Sequence, residues 1–169
     1  YQYKSNPHDT EGKVETITGH NVIGYLDNGA KKTIIIGAHY DHLGFNEHNN
    51  STKPNSHGEI HNGADDNSSG VAGVLELARI YSQNKRKENV NIIFALFSGE
   101  EDGLIGSKEI AANIEKLVPN VVTMINMDMI GRLDDKKSLV VGGTGTSPIF
   151  SEIIEKNKPA GFSITQEPA

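Results

Sequence analysis

Three short apolar runs limit what this chain can become. Thr33-Ile34-Ile35-Ile36-Gly37-Ala38, Ile92 to Phe97 and Val121 to Ile130 are apolar at most positions. A strand with one wet face alternates apolar and polar residues, whereas a continuous run suits a strand buried on both faces. Between the first two runs, Val71, Val74, Leu75 and Ala78 follow i, i+3, i+4, i+7 spacing, which places four apolar side chains on one helical face. Ser68 or Ser69 is placed to cap that helix. Leu104 to Leu117 reads as a second helix stopped by Pro119, and Ile149 to Lys156 as a third. Val22 to Leu26, Ser138 to Val141 and Phe162 to Thr165 read as further strands, while Tyr1 to about Lys13 is polar and carries no periodic signal. Apolar strands alternating with helices predict an α/β domain with a largely parallel core. No repeat or linker divides the chain, so a single domain over 1–169 is expected.

At 169 residues the chain can bury a core of its own. Its formal net charge of −6 argues against nucleic acid or an anionic membrane as the main partner. There is no cysteine, hence neither a disulfide nor a thiolate metal ligand. No apolar stretch reaches the roughly 20 residues of a membrane span. The first residue is Tyr1, from which we expect a trimmed form whose targeting segment is gone.

Four clusters of metal-type residues punctuate the element ends: His39-Tyr40-Asp41-His42, Asp65-Asp66-Asn67, Glu100-Glu101 and Asp128. Imidazole and carboxylate groups are what a divalent cation such as zinc binds. In open α/β sheets ligands gather outside the carboxyl ends of the strands, and these clusters follow predicted strands or precede a predicted helix. Two ions roughly 3.5–4 Å apart can share a carboxylate and activate water. A separate carboxylate must then carry the proton, and adjacent glutamates suit that split. Asp41 is placed to orient the His39 ring. Asp128, amid Met127, Met129 and Ile130 in a predicted buried strand, would be costly unless paired or metal-bound. The polar stretch from Phe45 to Asn62 reads as a surface loop long enough to have a function, with His48 and His57 solvated within it. His42 and His61 flank the cleft. Gly142-Gly143-Thr144-Gly145 lacks the Gly-Lys-Ser/Thr of a phosphate loop and reads as a turn, with Ser147 capping a helix that starts at Pro148.

The motifs Gly37-Ala38-His39-Tyr40-Asp41-His42, Asn62 to Gly70, Gly99-Glu100-Glu101 and Asn126-Met127-Asp128-Met129 resemble those of the co-catalytic di-zinc aminopeptidases, a family that also holds glutamate carboxypeptidase and non-enzymatic receptor-type relatives. The resemblance covers about residues 20 to 145. It implies the three-layer α/β zinc-exopeptidase fold, with a mixed, largely parallel central sheet flanked by helices. It also implies a zinc-dependent exopeptidase, an aminopeptidase by preference, that hydrolyses N-terminal residues of peptides through a metal-bound hydroxide. By the same resemblance Asp66, four residues before Gly70, bridges two zincs; His39 and Asp128 complete one site, Glu101 binds the other metal and Glu100 is the general base. The alternatives are a carboxypeptidase or amide deacylase of the same fold, or a non-catalytic metal-binding or receptor-like domain. Glutaminyl cyclases of the fold fit less well, since they bind one zinc. The family's second metal takes a further histidine downstream, but His61 is the last histidine here. A C-terminally truncated domain with one site short of a ligand, and weak or absent activity, is therefore expected. The resemblance also implies a secreted or periplasmic home.

Overall fold

The computed structural model describes residues 1–5 and 14–168. They form two compact units, Tyr1–Gly131 and Arg132–Ala169, each described by itself.

The first unit is built on a four-stranded sheet in the order β3-β5-β4-β6, formed by β3 (Val22–Leu26), β4 (Thr33–His39), β5 (Asn91–Phe97) and β6 (Val121–Asn126). β4 runs parallel to both β5 and β6, and β3 joins β5 antiparallel. The sheet is thus mixed, with a parallel centre. Helix α1 (Gly70–Gln83) and helix α2 (Ile105–Leu117) belong to the same unit.

The apolar runs explain the layers. Side chains alternate across a strand, so β4 feeds two separate cores. Ile35 clusters with Ile93, Ala95 and Phe97 and with Ile110 and Ile114 of α2. Ile36 and Ala38 cluster with Ile92 and Phe94 and with Val74 of α1. One helix therefore covers each face of the sheet, and three layers result. Gly37 is required by the first core, because a Cβ there would meet the Phe97 ring at 2.5 Å.

The α1 face differs from the sequence pattern at one position. Val74 is 1% exposed, but Leu75 is 57% exposed. Val71, Leu77, Ala78 and Tyr81 join the packed face instead. The stripe runs on through the later turns, and Leu75 lies off it. Ser69 does occupy the N-cap position but makes no capping bond with its side chain.

The polar N-terminus also departs from expectation. Gln2–Lys4 forms β1, paired antiparallel with β2 (Thr16–Thr18). A three-residue strand is too short to show periodicity. The rest of the opening segment, residues 6–13, lies outside the described residues.

In the second unit, β7 (Ser138–Gly142) and β8 (Ser163–Glu167) pair in parallel, joined through a 3-10 turn at Thr144–Thr146 and helix α3 (Phe150–Asn157). The helix begins later than the Ser147-Pro148 pattern predicts. Ser147 is extended and caps nothing with its side chain; its carbonyl accepts the Phe150 N–H at 3.2 Å.

Candidate metal centre

The parallel register carries the candidate residues to one edge of the sheet. His39, the last residue of β4, lies opposite Phe97, the last residue of β5. Gly37 lies opposite Asn126 at the end of β6, and the Met127 N–H extends the ladder to the Gly37 carbonyl at 2.8 Å. Asp128 and the Glu100-Glu101 pair follow immediately, at the carboxyl ends where ligands gather.

Asp66 reaches the same edge through a π-like turn, Ala64–Ser69, ahead of α1. Its chain is non-helical at Asp66 and Asn67, and the peptide bond between them is cis. Three polar contacts hold this turn against the segment after β6. The Asn67 amide donates to the Met127 carbonyl at 2.9 Å, the Ile130 N–H donates to Ser69 Oγ at 3.0 Å, and the Gly131 N–H donates to Asp65 Oδ1 at 2.8 Å. The Ser69 hydroxyl also donates to the Asp65 carbonyl at 2.7 Å, and its oxygen accepts the Ile130 N–H in place of an N–H of α1. Gly70 is forced by the same approach, since a Cβ would lie 2.5 Å from the Met127 carbonyl oxygen. Asp65 and Ser69 thus frame the centre. In the sequence Asp65 stands out only as a neighbour of Asp66 and Ser69 only as a candidate cap, both inside the Asn62 to Gly70 motif.

His39, Asp66 and Asp128 each offer a ligand atom, all within 4.8 Å of one another. From His39 Nε2 the distances are 3.0 Å to Asp66 Oδ1, 3.6 Å to Asp128 Oδ1 and 3.9 Å to Glu100 Oε2. Despite the short first distance, Nε2 is buried without a hydrogen-bond partner, so proximity is not matched by bonding geometry. The ring is oriented from behind: Nδ1 lies 3.1 Å from the Asp41 backbone carbonyl and 3.6 Å from its carboxylate. The carbonyl is the closer partner. Asp41 Oδ2 turns instead to the Glu101 N–H, at 3.2 Å. Glu101 stands outside the 4.8 Å group, and its carboxylate experiences repulsion from Asp66 and Glu100.

Electrostatics follow from this crowding. Burial disfavours the charged His39 ring, but the Asp41 hydrogen bond and the Glu100 and Asp128 carboxylates outweigh it and raise its pKa to about 9. Burial, then repulsion from Asp66 and Glu100, raises Glu101 to about 7. Glu100 and Asp128 are also raised, chiefly by desolvation and partly offset by His39. Asp41 is held low despite its burial, by His39 and the N–H groups of Glu100 and Glu101. A knot of carboxylates around a buried, unbonded imidazole nitrogen is a donor set in want of a cation. The residues present fit zinc, which takes nitrogen and oxygen ligands of these kinds.

Two sequence-derived readings need correction. Asp128 lies beyond β6, with a side chain 44% exposed, and not in a buried strand. His48 is not simply solvated: its Nδ1 lies 2.9 Å from Asp102 Oδ1. A wider depression of about 610 Å³, lined by Lys31, Lys32, Glu115 and Asn120 among others, opens near the start of β4 and β6, at the opposite end of the strands from these ligands. Among the described residues no helix is long and apolar enough to cross a membrane.

The pattern of Peptidase family M28 matches residues 21–169, and the chain belongs to that family. It is similar to a probable zinc metalloprotease of Pyrenophora tritici-repentis, with 40% identity over 97 residues, covering 57% of this chain and 20% of that protein. It is similar also to a probable leucine aminopeptidase of Arthroderma otae, with 30% identity over 138 residues, covering 77% of this chain and 35% of that protein. Among solved structures, the aminopeptidase from Aneurinibacillus sp. strain AM-1 superposes with a TM-score of 0.65 and 32% identity, covering 92% of this chain and 36% of that chain. The chain therefore spans about a third or less of the length of these relatives and has the fold of a zinc exopeptidase.

Proposed function

We propose that this chain carries the catalytic centre of a zinc-dependent aminopeptidase that removes N-terminal residues from peptides. The observation that supports it best is the meeting of His39, Asp66 and Asp128 at the carboxyl edge of the sheet, with Glu100 Oε2 3.9 Å from His39 Nε2. Names of similar proteins, a zinc metalloprotease and leucine aminopeptidases, agree with that chemistry. In this reading His39 and Asp128 would hold one zinc, Asp66 would be shared between two, and Glu101 would face the second. Bound zinc supplies Lewis acidity, which polarises a carbonyl and brings the pKa of water from about 15.7 towards 7.

The chain's own groups do the rest. The Asp41 carbonyl keeps a proton on His39 Nδ1, so that Nε2, facing the cleft, is the nitrogen that would give up its proton to a metal. Glu100, half-buried and with a pKa raised chiefly by burial, would take a proton from the attacking water and return it to the leaving amine. We read 1–169 as belonging to one catalytic domain and the protein as secreted or periplasmic, the latter on the family resemblance, and cell fractionation of the source organism tests it.

The functional test is a substrate panel. In the full-length protein leucyl-p-nitroanilide should be cleaved and its N-acetylated form should not. Release of a C-terminal residue, deacylation of N-acyl amino acids or cyclisation of an N-terminal glutamine would each assign the centre to another member of the fold. Zinc binding without turnover on any substrate would favour the receptor-like alternative.

A further inference from the structure

The turn that presents Glu100 and Glu101 is gripped by side chains from three other segments. Asp102, whose side chain is 8% exposed, has a partner on each carboxylate oxygen. The Tyr3 hydroxyl of β1 donates to Oδ2 at 3.0 Å, and His48 Nδ1 lies 2.9 Å from Oδ1. Since a carboxylate only accepts, the imidazole is the donor in that pair. One residue earlier, the Asn50 amide donates to the Glu101 carbonyl at 2.7 Å, while Asp41 takes the Glu101 N–H. The Glu101 backbone is thus held on both sides, and the residue after it is anchored twice.

The segment that supplies His48 and Asn50 is itself fixed. Asn46, 1% exposed, donates to Ser56 Oγ at 3.1 Å and accepts the Ser51 N–H at 3.0 Å. The Ser56 hydroxyl donates to the Lys53 carbonyl at 2.8 Å, and a bridge between Gly44 and His61 closes the base. This loop also walls a cavity of about 190 Å³ that Glu101 lines. Burying a carboxylate is costly unless its oxygens are satisfied. An acid in a surface turn has no need of that arrangement, whereas a turn that must hold a ligand has.

We propose that Asp102 is a positioning residue for Glu101: by tying β1 and the 45–62 loop to the turn, it holds the Glu101 carboxylate where a second divalent cation binds beside Asp66. The inference rests on reading Glu101 as a metal ligand. Partners that fix a ligand's orientation are worth about 10- to 100-fold in metal affinity.

The test is cobalt(II) titration of the 1–169 chain, followed by the visible absorption of the bound ion and by competition with a chelator. The unmodified chain should bind in two phases, the weaker of which disappears in Glu101→Gln. Asp102→Ala should weaken that phase by about 10-fold or more and leave the tighter phase unchanged. His48→Gln, which keeps an N–H donor, should stay close to the unmodified chain while His48→Ala should not. If Glu101→Gln removes the weaker phase and Asp102→Ala leaves it intact, the positioning role is overturned and the ligand reading survives. A single phase, or a weaker phase indifferent to Glu101→Gln, overturns the ligand reading itself and this inference with it. Equal weakening of both phases in Asp102→Ala, with a lowered melting temperature, marks a general structural role and also overturns the proposal.

Discussion

His39 Nε2 lies 3.0 Å from Asp66 Oδ1 and yet makes no hydrogen bond. In the proposed reading, two groups so close, one of them buried, act as co-ligands rather than as donor and acceptor. His39→Ala should therefore lower zinc affinity by more than about 100-fold, beyond the effect of losing an orienting partner. Removing His42, whose Nδ1 accepts the Gly44 N–H at 2.9 Å, should have little effect on zinc. Chelator competition separates the two, and equal losses would contradict the ligand assignment.

The Glu100 carboxylate lies 3.9 Å from His39 Nε2, and burial raises its pKa. Glu100→Gln should retain zinc and reduce turnover of leucyl-p-nitroanilide by about 10²- to 10⁴-fold. Undiminished kcat with full zinc content would remove Glu100 from the proton-transfer role.

The metal-free chain should lose stability as pH rises. His39 holds its proton up to about 9, against 6.5 for the free side chain. Its stabilising contribution is complete below 6.5 and lost as pH climbs through about 9. Glu101, raised to about 7 from 4.5, acts in the same direction, its contribution fading between those values. Asp41 is lowered and acts oppositely, stabilising above its unfolded value of 3.8 and losing effect on acidification below it. The melting temperature of the apo chain should thus fall between pH 6 and pH 9.5, by differential scanning fluorimetry with chelator. Zinc should counter that fall, because protons compete for the same ligands. A rising apo melting temperature over this range would contradict the electrostatic account.

The packing of α1 gives a fold-level prediction. Val74→Ala removes a side chain that is 1% exposed and should cost about 2 kcal/mol in urea denaturation. Leu75→Ala, on the outward side, should change stability by less than about 0.5 kcal/mol. The reverse order would show that the helix packs through another face.

Much of this was legible in the sequence because the central strands are buried on both faces. Ile34 to Ala38 and Ile92 to Phe97 announce strands without any alternation, and helices on two faces follow from what those strands must bury. Asp27-Asn28-Gly29 bounds Val22–Leu26 as a turn sequence, and the strand ends locate His39 and the Glu100-Glu101 pair. The misses have physical reasons. Helical spacing within one turn could not decide between Leu75 and Leu77, because the packed stripe depends on how the helix lies on the sheet. Apolar Met127, Met129 and Ile130 prolonged the third strand on paper, but the chain leaves the sheet after Asn126 to reach the Asp65–Ser69 turn. The partnership of Tyr3 and His48 with Asp102 spans segments far apart in the chain, and no local pattern encodes it.

The central claim is that His39, Asp66 and Asp128 grip one cation together. Anomalous diffraction at the zinc edge, on crystals of the 1–169 chain grown with zinc, tests it most directly. The account predicts a strong peak bonded to His39 Nε2 and to carboxylate oxygens of Asp66 and Asp128. A zinc bound instead by His42, His61 or other loop residues, with those three side chains turned away from one another, would contradict it.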